Sequence, residues 1–130
     1  MRPDIPEEGE VFTHERTFSV EDVSEFGEMT GDQQSIHTTP DEDGRLVVQG
    51  LLTGSLMTKI GADLHYIART MTYDFRRPVY TGETITCEWT VESVAELTDR
   101  YRLENGVVYR NEDDEVVVDA STSGLVWKDG

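Results

Sequence analysis

Asp32 and His37 stand five residues apart near the start of a polar stretch, TGDQQSIHTTPDEDGRLVVQGLLTG, over residues 30–54. A carboxylate and an imidazole that share one water can hold it, take its proton and return a proton to a neighbouring atom. An imidazole is suited to that work because it titrates near neutrality. The same stretch closes on Gly50, where a second, mostly apolar helix pattern begins. The first N–H groups of a helix lack partners inside it, so they point outward at an anion or at a developing oxyanion. Acid, base and oxyanion donor thus lie within 25 residues of chain, provided the fold brings the two ends of the stretch together.

Each residue also has a plainer reading. An Asp after a helix is often a turn or cap residue, and a loop His is often solvated. The pair at this spacing, after Thr-Gly and ahead of V-x-G-L-L, marks Asp32 and His37 as candidate catalytic residues. His14 reads as a strand residue and His65 as a helix-end residue. Three histidines and one cysteine, widely separated, form no zinc set, so no metal site is expected. Ser55 lies one turn into the second helix pattern, where it either lines a pocket or permits tight packing. No G-x-S-x-G elbow surrounds it, so it is not a nucleophile.

The elements that must position these residues are legible in outline. Residues 1–9 read as an extended arm, with Pro3, Pro6 and three acids, and residues 10–18 as a first strand. Ser19 is an N-cap with Asp22 at the capping-box position. Val20, Val23, Phe26 and Met29 follow at spacing three, as one apolar helix face, and Gly31 ends the helix. Residues 33–45 read as a polar loop. From residue 50 or 51 to about 66 the pattern predicts one long helix, rich in small residues (Gly54, Ser55, Gly61, Ala62) and apolar on most sides. The rest is strand: 67–77, 84–95, 101–111 (weakened by Asn105–Gly106) and 116–128, with turns at 78–82, 97–99 and 112–115. Long successive strands with short links imply antiparallel pairing, and the long helix is the cover for the sheet's apolar face. The class is α+β, in a single domain over residues 1–130.

Eleven basic residues against 27 acidic ones give a net charge of −16, with the acids spread along the whole chain. Such a surface repels itself in dilute buffer. In molar salt, where the Debye length is about 3 Å, the repulsion is screened. The composition therefore suits a halophilic, intracellular protein, and it argues against nucleic-acid binding, since there is no basic face. The N-terminal residues lack the basic start and apolar core of a signal peptide, and no run of 18 apolar residues predicts a membrane span. A cytoplasmic protein is expected. Cys87, in an alternating run, reads as a small buried side chain.

Three motifs in order resemble one family. TGDQQSIH at 30–37 resembles the hydratase motif T-G-D-x-N-P-x-H of the MaoC-like dehydratases, which include the (R)-specific enoyl-CoA hydratases. GRLVVQGLL at 44–52 resembles that family's G-R-I-V-H-G-M-L, and FRRPVYTGETI at 75–85 its R-F-x-x-P-V-x-x-G-D-T-I. Gln34, Ser35 and Gln49 replace the family's Asn, Pro and His. The resemblance implies a hot-dog fold, a long central helix wrapped by a five-stranded antiparallel sheet, and a homodimer with the pocket at or near its interface. It implies interconversion of trans-2-enoyl-CoA and (R)-3-hydroxyacyl-CoA, with no cofactor beyond the thioester itself, carried on coenzyme A or a carrier protein. Asp32 and His37 would activate water, and Gly50 would give its N–H to the thioester oxygen. Leu51, Gln34 and Ser55 would border the substrate, and Arg76 and Arg77 could approach the phosphates of coenzyme A. Two other readings fit the same residues: a thioesterase on the same fold, with Asp32 activating water against the carbonyl, and a non-catalytic acyl-CoA-binding module.

Overall fold

A computed structural model describes residues 5–129. Of the arm expected over 1–9, residues 1–4 lie outside this range. Residues 5–9 belong to no strand or helix, but they are held: Pro6 is buried and the Gly9 N–H donates to Val91 O at 2.8 Å.

The chain runs β1 (Val11–Thr17), α1 (Val20–Thr30), α2 (Ser35–Thr38), α3 (Gly50–Gly54), α4 (Leu56–Asp63), β2 (Ile67–Phe75), β3 (Thr84–Glu96), β4 (Arg100–Arg110) and β5 (Val116–Trp127). The five strands form one sheet in the order β1-β3-β4-β5-β2, every pair antiparallel. Alternation decides which face is covered. Ile85, Cys87, Trp89 and Val91 of β3 are buried together with Val107 and Tyr109 of β4, and Leu56, Met57 and Ile60 of α4 join the same core.

Asn105–Gly106, which weakens the strand pattern over 101–111, lies in the middle of β4, as that pattern has it. Asn105 is buried, accepts a hydrogen bond from Trp89 Nε1–H at 3.0 Å and donates through Nδ2 to Thr122 O at 3.2 Å. Both ends of its amide are used, which is the condition for burying it. A Cβ at Gly106 would come within 2.9 Å of Glu92 Oε2, the far end of an exposed side chain that can swing aside.

α1 begins as expected. Ser19 Oγ accepts from the Asp22 N–H, Asp22 Oδ2 accepts from the Ser19 N–H, and Gly31 takes the left-handed conformation at the other end. Its buried face is different from the one the spacing predicts. Val23 and Gly27 are buried, whereas Val20 is exposed and Met29 is 82% exposed. Steps of three drift around a helix of 3.6 residues per turn, so three such steps do not stay on one face.

The single long helix expected over 50–66 is two helices, broken at Ser55. Ser55 Oγ donates to Leu52 O at 2.6 Å. The Tyr109 hydroxyl donates to Gly54 O, also at 2.6 Å. That carbonyl would otherwise receive the Thr58 N–H, which goes to Ser55 O instead, at 2.9 Å. A partner 55 residues away in the sequence thus ends α3. α4 closes at Leu64, followed by His65 in the left-handed region (φ 54°), with the Tyr66 N–H on Gly61 O at 2.9 Å. His65 is a helix-end residue, as its position suggests.

Candidate functional site

The exit of α1 sets the first wall. Thr30 Oγ1 donates back to Phe26 O at 2.7 Å, and Gly31 turns the chain through φ 81°. Asp32 follows directly. The polar loop expected over 33–45 contains one helical turn, α2, and His37 sits on it, only 7% exposed. Its ring is fixed from the far side: Nδ1 lies 2.6 Å from Val47 O. A backbone carbonyl only accepts, so Nδ1 carries the hydrogen and, in the neutral ring, Nε2 carries the lone pair. Nε2 faces Asp32 Oδ2 at 3.4 Å.

Gln34 holds the carboxylate from the other side, its Nε2 donating to Asp32 Oδ1 at 2.9 Å and its N–H to the same oxygen at 3.4 Å. These bonds, the side-chain one foremost, and the nearby His37 keep the Asp32 carboxyl below its ordinary range. They favour the charged form. Gln34 therefore orients the acid.

The pair opens on a cavity of about 690 Å³, within the range that takes small-molecule ligands. Its walls are largely apolar, with Phe26, Ile36, Val48, Val79 and Val118 among them, and Gly50 and Leu51 border it. The sheet delivers the side opposite α2: Phe75 pairs with Val118 where β2 meets β5. The Phe75 ring lies over Gly50; a Cβ there would come within 2.9 Å of Phe75 Cε1. One turn on, Gly54 meets Tyr73 in the same way, at 2.7 Å, and the two rings stack nearly parallel, 5.7 Å apart. The small residues of α3 are the imprint of two aromatics on β2.

Ser55 is not part of this cavity. It is exposed at the break between α3 and α4, with its hydroxyl occupied by Leu52 O. Arg76 and Arg77 reach the rim, but both are paired: Arg76 with Asp74 and Asp119, each at 3.0 Å, and Arg77 with Glu115 at 3.1 Å. Cys87 is buried, and that burial pushes its thiol up to about 12. Residues not singled out from sequence also build the site, Val47, Thr53, Phe75 and Val118 as walls and supports, while Gln49, the replacement for the family's His, lies beside Gly50. Apolar wall residues carry no type signal. Val47 acts through its carbonyl, which any residue supplies. Among the described residues no group of three or more His, Cys, Asp or Glu is arranged to hold a metal ion, and no helix is long and apolar enough to cross a membrane.

No protein-family model matches the chain. It is 25% identical over 128 residues to the mitochondrial 3-hydroxyacyl-[acyl-carrier-protein] dehydratase of Arabidopsis thaliana, covering 91% of this chain and 76% of that one. Among solved structures it is similar to the (R)-hydratase from A. caviae involved in PHA biosynthesis, with a TM-score of 0.82 at 20% identity over 93% of this chain and 96% of that one. It is also similar to the MaoC-like dehydratase from Rhodospirillum rubrum, with a TM-score of 0.76 at 17% identity, covering 94% and 93%. The chain has the hot-dog fold of these hydratases and dehydratases.

Proposed function

We propose that the protein is an acyl-thioester hydratase/dehydratase, interconverting trans-2-enoyl-CoA and (R)-3-hydroxyacyl-CoA. One observation carries this reading: two acceptors, Asp32 Oδ2 and His37 Nε2, face each other at 3.4 Å at the edge of an apolar cavity that also borders Gly50. In this reading a water beside the pair gives its hydrogens to these acceptors. In hydration the water oxygen bonds to C3 as His37 Nε2 takes one of its protons. The C2=C3 π electrons shift to C2 and onto the thioester oxygen. The Gly50 N–H receives that oxygen, and the proton held by the pair returns to C2. Losing one such oxyanion donor costs on the order of 3 kcal/mol of transition-state stabilisation. The similarity to a curated dehydratase and to (R)-hydratase structures supports the reaction class and, with the motif at 30–37, the (R) product.

The carrier is coenzyme A or a carrier protein; Arg76 and Arg77 meet its phosphates only by exchanging Asp74, Asp119 and Glu115 for them. The protein is a homodimer in this reading. β2 is a sheet edge, and Ile67, Met71 and Phe75 on it are exposed, an apolar edge of the kind that needs cover.

The test is the enoyl-thioester absorbance of crotonyl-CoA in molar potassium chloride, with wild type beside Asp32→Asn. Loss of absorbance without thiol release, reduced about 10²- to 10⁴-fold in the variant, is expected. Thiol release from saturated acyl-CoA would assign a thioesterase instead. Binding without turnover, across short and long enoyl chains, would leave a binding module.

A further inference from the structure

Residues 46–49 run between the two halves of the site and touch both. Backbone bonds pin the segment to the chain that follows β2: the Val48 N–H donates to Val79 O at 2.7 Å, and the Thr81 N–H to Leu46 O at 2.9 Å. It holds His37 in the same way. The Val47 N–H donates to Ile36 O at 2.9 Å, and Val47 O fixes the ring at Nδ1. Asp32 has no such tie, since its hydrogen bonds come from Thr30 and Gln34, in its own turn. Its place relative to His37 therefore depends on where α1 lies.

One hydrogen bond among the described residues joins α1 to this segment. Gln49 Nε2 donates to Val23 O at 3.0 Å, and both residues are buried. One turn on from Val23, Gly27 runs against the chain leaving α1: a Cβ there would stand 3.0 Å from Asp32 O and 3.4 Å from Gln49 Nε2. Gln49 thus grips the helix at the turn on which the Asp32 backbone rests. We propose that Gln49 is a positioning residue of the Asp32–His37 pair, its amide N–H clamping α1 to the segment that holds His37 and so setting the gap between carboxylate and imidazole. The consequence for turnover rests on the acyl-thioester reading; the clamp itself does not. A misplacement of about 1 Å costs up to roughly 100-fold in rate, so a clamp that acts through another residue is visible in kcat.

Gln49→Met keeps the length of the side chain and removes its donor. It is expected to lower kcat about 10- to 100-fold with KM nearly unchanged, the split left by a loss confined to the transition state. Gln49→His puts an N–H at similar reach and is expected to recover most of kcat; a packing role alone would leave it no better than Gln49→Met. The gap is also read without turnover, from the His37 ring nitrogen resonances at fixed pH in molar potassium chloride. Asp32→Asn is expected to shift them in the wild-type background and to shift them distinctly less beside Gln49→Met. Gly27→Ala reaches the same gap from the other side, displacing Asp32 O by a few tenths of an ångström, and serves where Gln49→Met fails to fold; kcat and the shift are expected to fall there too. An equal Asp32→Asn shift in the wild-type and variant backgrounds overturns the inference, and so does a Gln49→His no better than Gln49→Met. A diminished shift in a protein that hydrates no enoyl thioester would keep the clamp and sink the hydratase reading. Hydration with kcat undiminished in Gln49→Met would do the reverse.

Discussion

Phe75 packs against Gly50, so close that a Cβ at residue 50 would stand 2.9 Å from its ring. A side chain on an edge strand thereby positions the residue offered as oxyanion donor, and it also walls the cavity. Gly50→Ala is expected to leave stability within about 1 kcal/mol, since Phe75 is half-exposed and can give way. kcat/KM is expected to fall at least about tenfold, because small displacements of a reacting group are costly. Steady-state kinetics on Gly50→Ala and on Gly50→Ala/Phe75→Ala would check this. A double variant no better than the single one would show that the ring is not what Gly50 accommodates.

The Asp32 carboxyl lies below its ordinary range chiefly because of the Gln34 side-chain amide. Gln34→Leu is expected to move its titration upward, which carboxyl-carbon NMR of Asp32 would show directly. The sign for stability follows from the lowered folded value. The contribution of this carboxylate is present above the unfolded pKa and is lost as pH falls through the folded one. In the variant the difference between the two values narrows, and the acid-side loss becomes smaller. Unchanged titration would assign the lowering to the Gln34 N–H and His37 instead.

Tyr109→Phe removes the hydroxyl that holds Gly54 O. The Tyr73 hydroxyl is left as a distant alternative at 3.5 Å. Loss of a buried donor of this kind costs about 1–3 kcal/mol, measurable by urea unfolding in high salt. The freed carbonyl is then open to the Thr58 N–H, so α3 and α4 are expected to straighten towards one helix. No loss of stability would mean that Ser55 alone sets the break.

The strands were legible because a half-covered sheet writes its burial into the chain with a period of two, as in Ile85, Cys87, Trp89 and Val91. The break at Ser55 was not, since its cause is a tyrosine on β4. The buried face of α1 was misread because spacing alone does not say where the sheet and the Asp32 segment lie. Gly27 is buried because a Cβ there would meet Asp32 O at 3.0 Å, a close approach with no local signature. At the site, the titratable pair could be picked out by type and spacing. Its supports could not: the Val47 carbonyl, the Gln49 amide and the Phe75 ring depend on which backbones meet. Ser55 was drawn to the site by its position on the helix, and the local hydrogen bond to Leu52 O turns it away.

The strand order has a kinetic side. β3, β4 and β5 follow one another as hairpins, whereas β1 and β2 close onto β3 and β5 across long stretches of chain. Distant closures are entropically late events in folding. The cavity draws its walls from the stretch between those two edges and from the β2–β5 seam, so it comes into being only when the last closures are made. Hydrogen exchange would then find the meander more protected than β1 and β2, and binding capacity would disappear while most of the sheet still stands.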